Sequence, residues 1–78
     1  MKSFYHYLMK YRANKKNDAL GEFARAAYDD HSFPKMETDY NEISSYLEMN
    51  GHYLPSMSVF DEAWELYQSE EAVPYLQN

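Results

Sequence analysis

The feature that most constrains this chain is a stripe. Between Leu20 and Tyr28 the apolar residues Leu20, Phe23, Ala24, Ala27 and Tyr28 recur three and four positions apart, the spacing of one helical face. Three other segments repeat that spacing, while none alternates at period two for long enough to form a strand. No internal repeat is visible. The expected fold class is therefore all-α.

Each stripe carries its own punctuation. Ser3 is placed to cap a first helix with Phe4, Tyr7, Leu8 and Tyr11 on one face, until the polar link "RANKKN" interrupts the period. Asn17 or Asp18 starts the second helix, which should stop near Asp30 because Pro34 biases Phe33 away from helical angles. Gly21 lies inside that helix at a cost of roughly 1 kcal/mol relative to alanine, which points to a close helix contact. The third helix starts at Thr38 or Asp39, with Glu42 three after Asp39 as in a capping box, and Tyr40, Ile43, Tyr46 and Leu47 supply its apolar face. Asn50 and Gly51 end it, a pair suited to left-handed capping angles. Ser58 with Asp61 marks the start of the fourth.

In that last helix Met57, Phe60, Trp64 and Tyr67 make one stripe and Val59, Ala63 and Leu66 a second beside it, so more than one neighbour is expected. Links of about four to eight residues keep successive helices adjacent, giving an irregular four-helix array around Phe23, Ile43, Leu47, Phe60 and Trp64. Residues 1–71 read as a single helical domain. Residues 72–78 contain a proline and no period, and read as a tail that is either disordered or laid on the surface.

Size limits what such an array can do. With 78 residues the chain buries only about 60% of its unfolded-state surface, leaving little stability to offset a strained active site. Aromatic side chains make up 18% of it, and each ring buries on the order of 150 to 250 Å². The absence of cysteine excludes disulfides, a thiolate nucleophile and sulfur-ligated zinc, and fits a reducing compartment. No apolar run is long enough for a membrane span, and "MKSFYHYLMKYR" lacks the features of a signal peptide, so a cytoplasmic location and no membrane partner are expected.

The segment "YDDHSFPKMETDY", Tyr28 to Tyr40, concentrates the groups that could carry chemistry. Asp29, Asp30 and His31 are ligand types for a divalent ion, yet three consecutive residues rarely converge on one ion. The alternative is a corner: His31 and Ser32 leave one helix, Phe33 plugs the core beside Pro34, and the polar residues satisfy two helix ends. That reading is preferred, with no metal and no cofactor. Ser32 beside His31 does not make a nucleophile, because base, orienter and oxyanion donors must converge in space. Two glycines in all leave no phosphate-cradling loop. Asp61, Glu62 and Glu65 read as a solvated acidic face of the fourth helix.

Charge is uneven. The first sixteen residues carry +5 through Lys2, Lys10, Arg12, Lys15 and Lys16, and the remainder −11, for a net of −6. Such acidity opposes general adhesion to nucleic acid, although Lys10, Arg12, Lys15 and Lys16 with Tyr7 and Tyr11 nearby could touch phosphates and stack on a base.

Taken together, "SFYHYLMKYR", "FARAAYDDHSFPK", "TDYNEISSYLEMNGHY" and "MSVFDEAWELY" resemble, in order and spacing, the YozE family of small uncharacterised bacterial proteins. The resemblance runs from Ser3 to about Tyr67. It implies a SAM-like fold of four or so helices packed as two hairpins at a steep angle, in low-GC Gram-positive bacteria, and carries no established activity, cofactor or catalytic residue. SAM-like domains elsewhere mediate protein association, and related folds bind nucleic acid through hairpin loops that present glycine amides. The links here hold a single glycine among them, which weighs against DNA.

The expectation is a non-catalytic interaction module whose partner is an unknown protein or a second copy of itself. Tyr5, Tyr53 and Tyr75, which fall off the main stripes, are its candidate anchors. The alternative is a nucleic-acid-binding domain that uses the basic segment Lys10, Arg12, Lys15 and Lys16.

Overall fold

The computed structural model describes residues 2–72 of the chain. Four α-helices follow in order: α1 (Phe4–Leu8), α2 (Ala19–Asp29), α3 (Tyr40–Asn50) and α4 (Met57–Tyr67). Helix α1 runs directly into a 3₁₀ turn, Met9–Ala13, and α4 into a π-helical turn, Gln68–Ala72. There is no strand among the described residues. Most of the expected tail, including Tyr75, lies outside them.

Local chemistry accounts for the helix starts. The Ser3 hydroxyl accepts from the His6 amide at 3.1 Å, Asp18 from Gly21 at 2.8 Å, and Asp39 from Glu42 at 3.0 Å. One expected boundary moves, and one keeps its residue for a different reason. The cap of α4 is Ser56 rather than Ser58: its hydroxyl accepts the Ser58 amide at 3.0 Å. Its extended backbone (φ −166°) lets the helix begin at Met57, whose side chain then packs against the core. Gly51 does not adopt left-handed angles, having φ −90° and ψ 43°. Its requirement is space: the Gly51 amide donates to the Leu47 carbonyl at 2.7 Å, and a Cβ on Gly51 would lie 2.6 Å from that oxygen.

The close contact expected at Gly21 is present, and its partner is the 3₁₀ turn and the link after it. A Cβ there would meet Asn14 Cβ at 3.0 Å and the Tyr11 carbonyl at 3.2 Å. Arg25, one turn further along α2, holds the same segment. Its guanidinium donates to the carbonyls of Arg12 and Asn14 at 3.0 Å each and reaches those of Lys16 and Lys15 at 3.3 and 3.4 Å. Five donors on a planar fork suit a chain segment that has left helical hydrogen bonding.

Helix α4 packs against α1, α2 and α3, as its double stripe requires. Phe4 lies near the middle of the resulting core, with ring centroids 5.4 Å from Phe60, 5.5 Å from Trp64 and 5.6 Å from Tyr67. Phe23, Ile43, Leu47 and Phe60 are buried as expected, but Trp64 is only partly so. The indole packs against Tyr40 at 5.3 Å and Tyr67 at 5.0 Å at the edge of the core, and the interior position falls to Tyr67. Tyr67 satisfies its buried hydroxyl by donating to the Lys2 carbonyl at 2.6 Å. Phe33 is 3% exposed and stacks near Tyr5 and Tyr46, so the Tyr28–Tyr40 segment is a corner plugged by a ring.

Candidate interaction surfaces

Asp30, just past the end of α2, gathers the densest polar cluster. Its Oδ2 accepts from the Tyr46 hydroxyl at 2.6 Å and the Tyr53 hydroxyl at 2.9 Å, and its Oδ1 from the Ser32 amide at 3.1 Å. Burial pushes the Asp30 carboxyl up, but the two phenols and the amide outweigh it and hold the group below its ordinary range. Burial and the bond to Asp30 push Tyr46 up to about 12, and Tyr53 moves in the same direction for the same causes. The cluster joins the end of α2 to α3 and to the α3–α4 connection. An open concavity of about 530 Å³ lies over it, with Asp29, Met49 and His52 among its walls. Three donors already hold the carboxylate, and among the described residues no group of three or more His, Asp or Glu is arranged to hold a metal ion. Within the Asp29–His31 run it is the Asp30 side chain that braces the corner.

The basic residues make separate contacts. Lys10 donates to Glu70 at 2.8 Å and lies over the Tyr7 ring, 4.6 Å from its centroid. The Tyr7 hydroxyl donates to the same Glu70 oxygen at 2.9 Å and is within 2.9 Å of the Tyr11 hydroxyl. Lys10 and then Tyr7 hold Glu70 below the ordinary carboxylate range. Burial, followed by the bonds to Tyr11 and Glu70, pushes the Tyr7 phenol well up. Arg12 stacks on Tyr28 at 4.2 Å. Lys15 and Lys16 project from the link that Arg25 pins through its carbonyls, and both are exposed.

The tyrosines also separate. Tyr53 is half-buried on Asp30, in the wall of the first concavity. Tyr5 is half-buried against Phe33 and helps to line a second, more apolar groove of about 480 Å³ between α1 and the turn at residues 34–38. Met9 and Met36 share that groove with Tyr5, and Lys2, His6 and Lys35 border it. Met36 is 88% exposed. Sequence reasoning passed over it, although a large apolar residue between Pro34 and Thr38, with no periodic partner, was the available signal.

Helices folded on one aromatic core, with open grooves on the surface, define a small SAM-like helical domain. The chain belongs to the YozE family: the model of the YozE SAM-like fold matches residues 3–69. It is 66% identical over 70 residues to the UPF0346 protein YozE of Bacillus subtilis, covering 90% of this chain and 95% of that one. Identity to a UPF0346 protein of Bacillus licheniformis is 70%, covering 90% and 96% of the two chains. The solution NMR structure of the Bacillus subtilis protein superimposes with a TM-score of 0.83 at 62% identity, covering 95% of this chain and 90% of that one.

Proposed function

We propose that this domain is a non-catalytic protein-interaction module. The observation that carries the reading is the exposure of Met36 at 88% and Met49 at 85%, in a domain that buries rings as large as Phe4, Tyr7, Phe60 and Tyr67 completely or nearly so. The core is complete without them, so these two long thioether side chains present apolar surface to solvent. Methionine is a flexible, polarizable contact residue that adapts to a partner. The polar clusters support the same reading, since Asp30 and Glu70 are engaged in joining helices.

The test is affinity purification of the full chain against its Met36→Glu/Met49→Glu variant. A partner recovered at near-stoichiometric yield with the parent and lost with the variant, at unchanged thermal melting, supports the module; no partner with the parent contradicts it.

Lys15 and Lys16 favour a second reading, nucleic-acid binding, because Arg25 fixes the backbone that presents them. Lys10 and Arg12 are engaged within the fold, and the net charge of −6 opposes approach to phosphates. Mobility shift at tens of millimolar salt separates the readings: binding that weakens steeply as salt rises supports the second, and no shift removes it.

A further inference from the structure

Resting on the interaction-module reading, we infer that the groove between α1 and the turn at residues 34–38 is the docking face, and that it takes an acidic protein segment: one or two large apolar side chains flanked by Asp or Glu.

The floor is apolar and prebuilt. Tyr5 is fixed by its contact with Phe33, the rings lying 5.5 Å apart. The two sides of the groove are tied together by the Phe4 amide, which donates to the Glu37 carbonyl at 3.2 Å. Met9 completes the floor, and Met36, largely exposed, stands at its edge. An incoming apolar side chain would therefore meet one aromatic and two thioether groups without rearrangement of the backbone.

The rim decides the partner's charge. Lys2, His6 and Lys35 border the groove, and none of the chain's thirteen Asp and Glu residues lines it. Lys35 has its ammonium 5.5 Å from the Tyr5 ring centroid and 3.4 Å from the His31 carbonyl, which holds the charge over the floor. Lys2 is 4.0 Å from the half-buried Glu71, at the outer limit of an ion pair. The nearest turn carboxylate, Glu37, accepts the amides of Thr38 and Asp39 at 3.3 and 3.1 Å, which fixes it at the start of α3. Two lysines at the rim of an apolar floor, on a protein of net charge −6, favour acidic ligands by local complementarity over basic ones.

A different protein fits better than a second copy. The acidic faces of this chain lie elsewhere, so copy-to-copy docking would join unlike surfaces, a head-to-tail contact that propagates unless its rotation happens to close.

The experiment places the photo-crosslinking residue p-benzoylphenylalanine at position 36, 49 or 28 of the full chain in a Bacillus host, and sequences the attached peptides. Expected are adducts at position 36 to a peptide of net negative charge containing a large apolar residue, with yield reduced about tenfold by Lys35→Glu. A basic peptide, a lipid or nucleic-acid adduct, a peptide of this chain itself, or a yield indifferent to Lys35→Glu would each overturn the inference. Protein adducts at positions 49 or 28 with none at 36 also overturn it while leaving the interaction module standing, whereas no protein adduct at any position removes both.

Discussion

Tyr53 donates its hydroxyl to Asp30 across 23 positions of sequence, at 2.9 Å, and so fastens the α3–α4 connection to the end of α2. Replacing the phenol with phenylalanine removes one of three donors from a partly buried carboxylate. Tyr53→Phe should lower stability by about 1 to 2 kcal/mol, measured by urea unfolding at pH 7, as expected for a hydrogen bond to a charged group. An unchanged midpoint would show that water replaces the hydroxyl without cost.

The same cluster sets two pH limits. Asp30 is more acidic folded than unfolded, so its contribution is complete above the unfolded value near 4 and is lost as pH falls through the depressed folded value. Tyr46 behaves oppositely: raised to about 12 from an unfolded value near 10, its contribution is complete below pH 10 and is lost as pH rises through about 12. Unfolding midpoints from pH 7 to 12 should therefore fall less steeply at the alkaline end in Tyr46→Phe than in the parent.

The corner at Tyr28–Tyr40 separates a buried ring from an exposed imidazole. Phe33→Ala should cost about 3 to 5 kcal/mol, since Phe33 is 3% exposed. His31→Ala should stay within about 0.5 kcal/mol. Thermal melts of the two variants check the contrast, and a large loss on changing His31 would contradict the corner.

Much of this architecture is legible in the sequence, because it is local. The stripe from Leu20 to Ala27 and the caps at Ser3, Asp18 and Asp39 depend on residues three or four apart and are present, whereas Tyr28 at the end of the stripe is exposed and carries the Arg12 guanidinium on its ring. What sequence spacing misses is set at long range. Tyr46 and Tyr53 reach Asp30 across 16 and 23 positions, and Arg25 finds carbonyls 9 to 13 positions away. Gly51 shows a subtler limit, for spacing signalled the right residue at the helix end while the reason is a crowded Leu47 carbonyl. Of the candidate anchors, Tyr5 lines the proposed groove, Tyr53 is occupied by Asp30 and Tyr75 lies outside the described residues; Met36 was not among them, having no periodic pattern to mark it.

That crowding gives its own prediction. Gly51→Ala must displace backbone, because the added Cβ would lie 2.6 Å from the Leu47 oxygen, and should cost about 1 to 3 kcal/mol despite an ordinary negative φ. Chemical denaturation measures it, and a neutral result would show that the end of α3 gives way easily.

Arg25 offers a test that lysine cannot rescue. Arg25→Lys should raise amide hydrogen exchange in residues 12–18 nearly as much as Arg25→Ala, since an ammonium cannot reproduce the planar fork that reaches four carbonyls. Exchange in α3 should not change.

The proposed docking surface is the one around Met36. Its most direct measurement is the NMR spectrum of the chain carrying ¹³C-methyl methionine, recorded in buffer and then in concentrated lysate of a Bacillus host. The Met36 and Met9 methyl signals should broaden or shift in lysate and return to their buffer positions at high salt. Met36 and Met9 signals that are the same in lysate and buffer would contradict it.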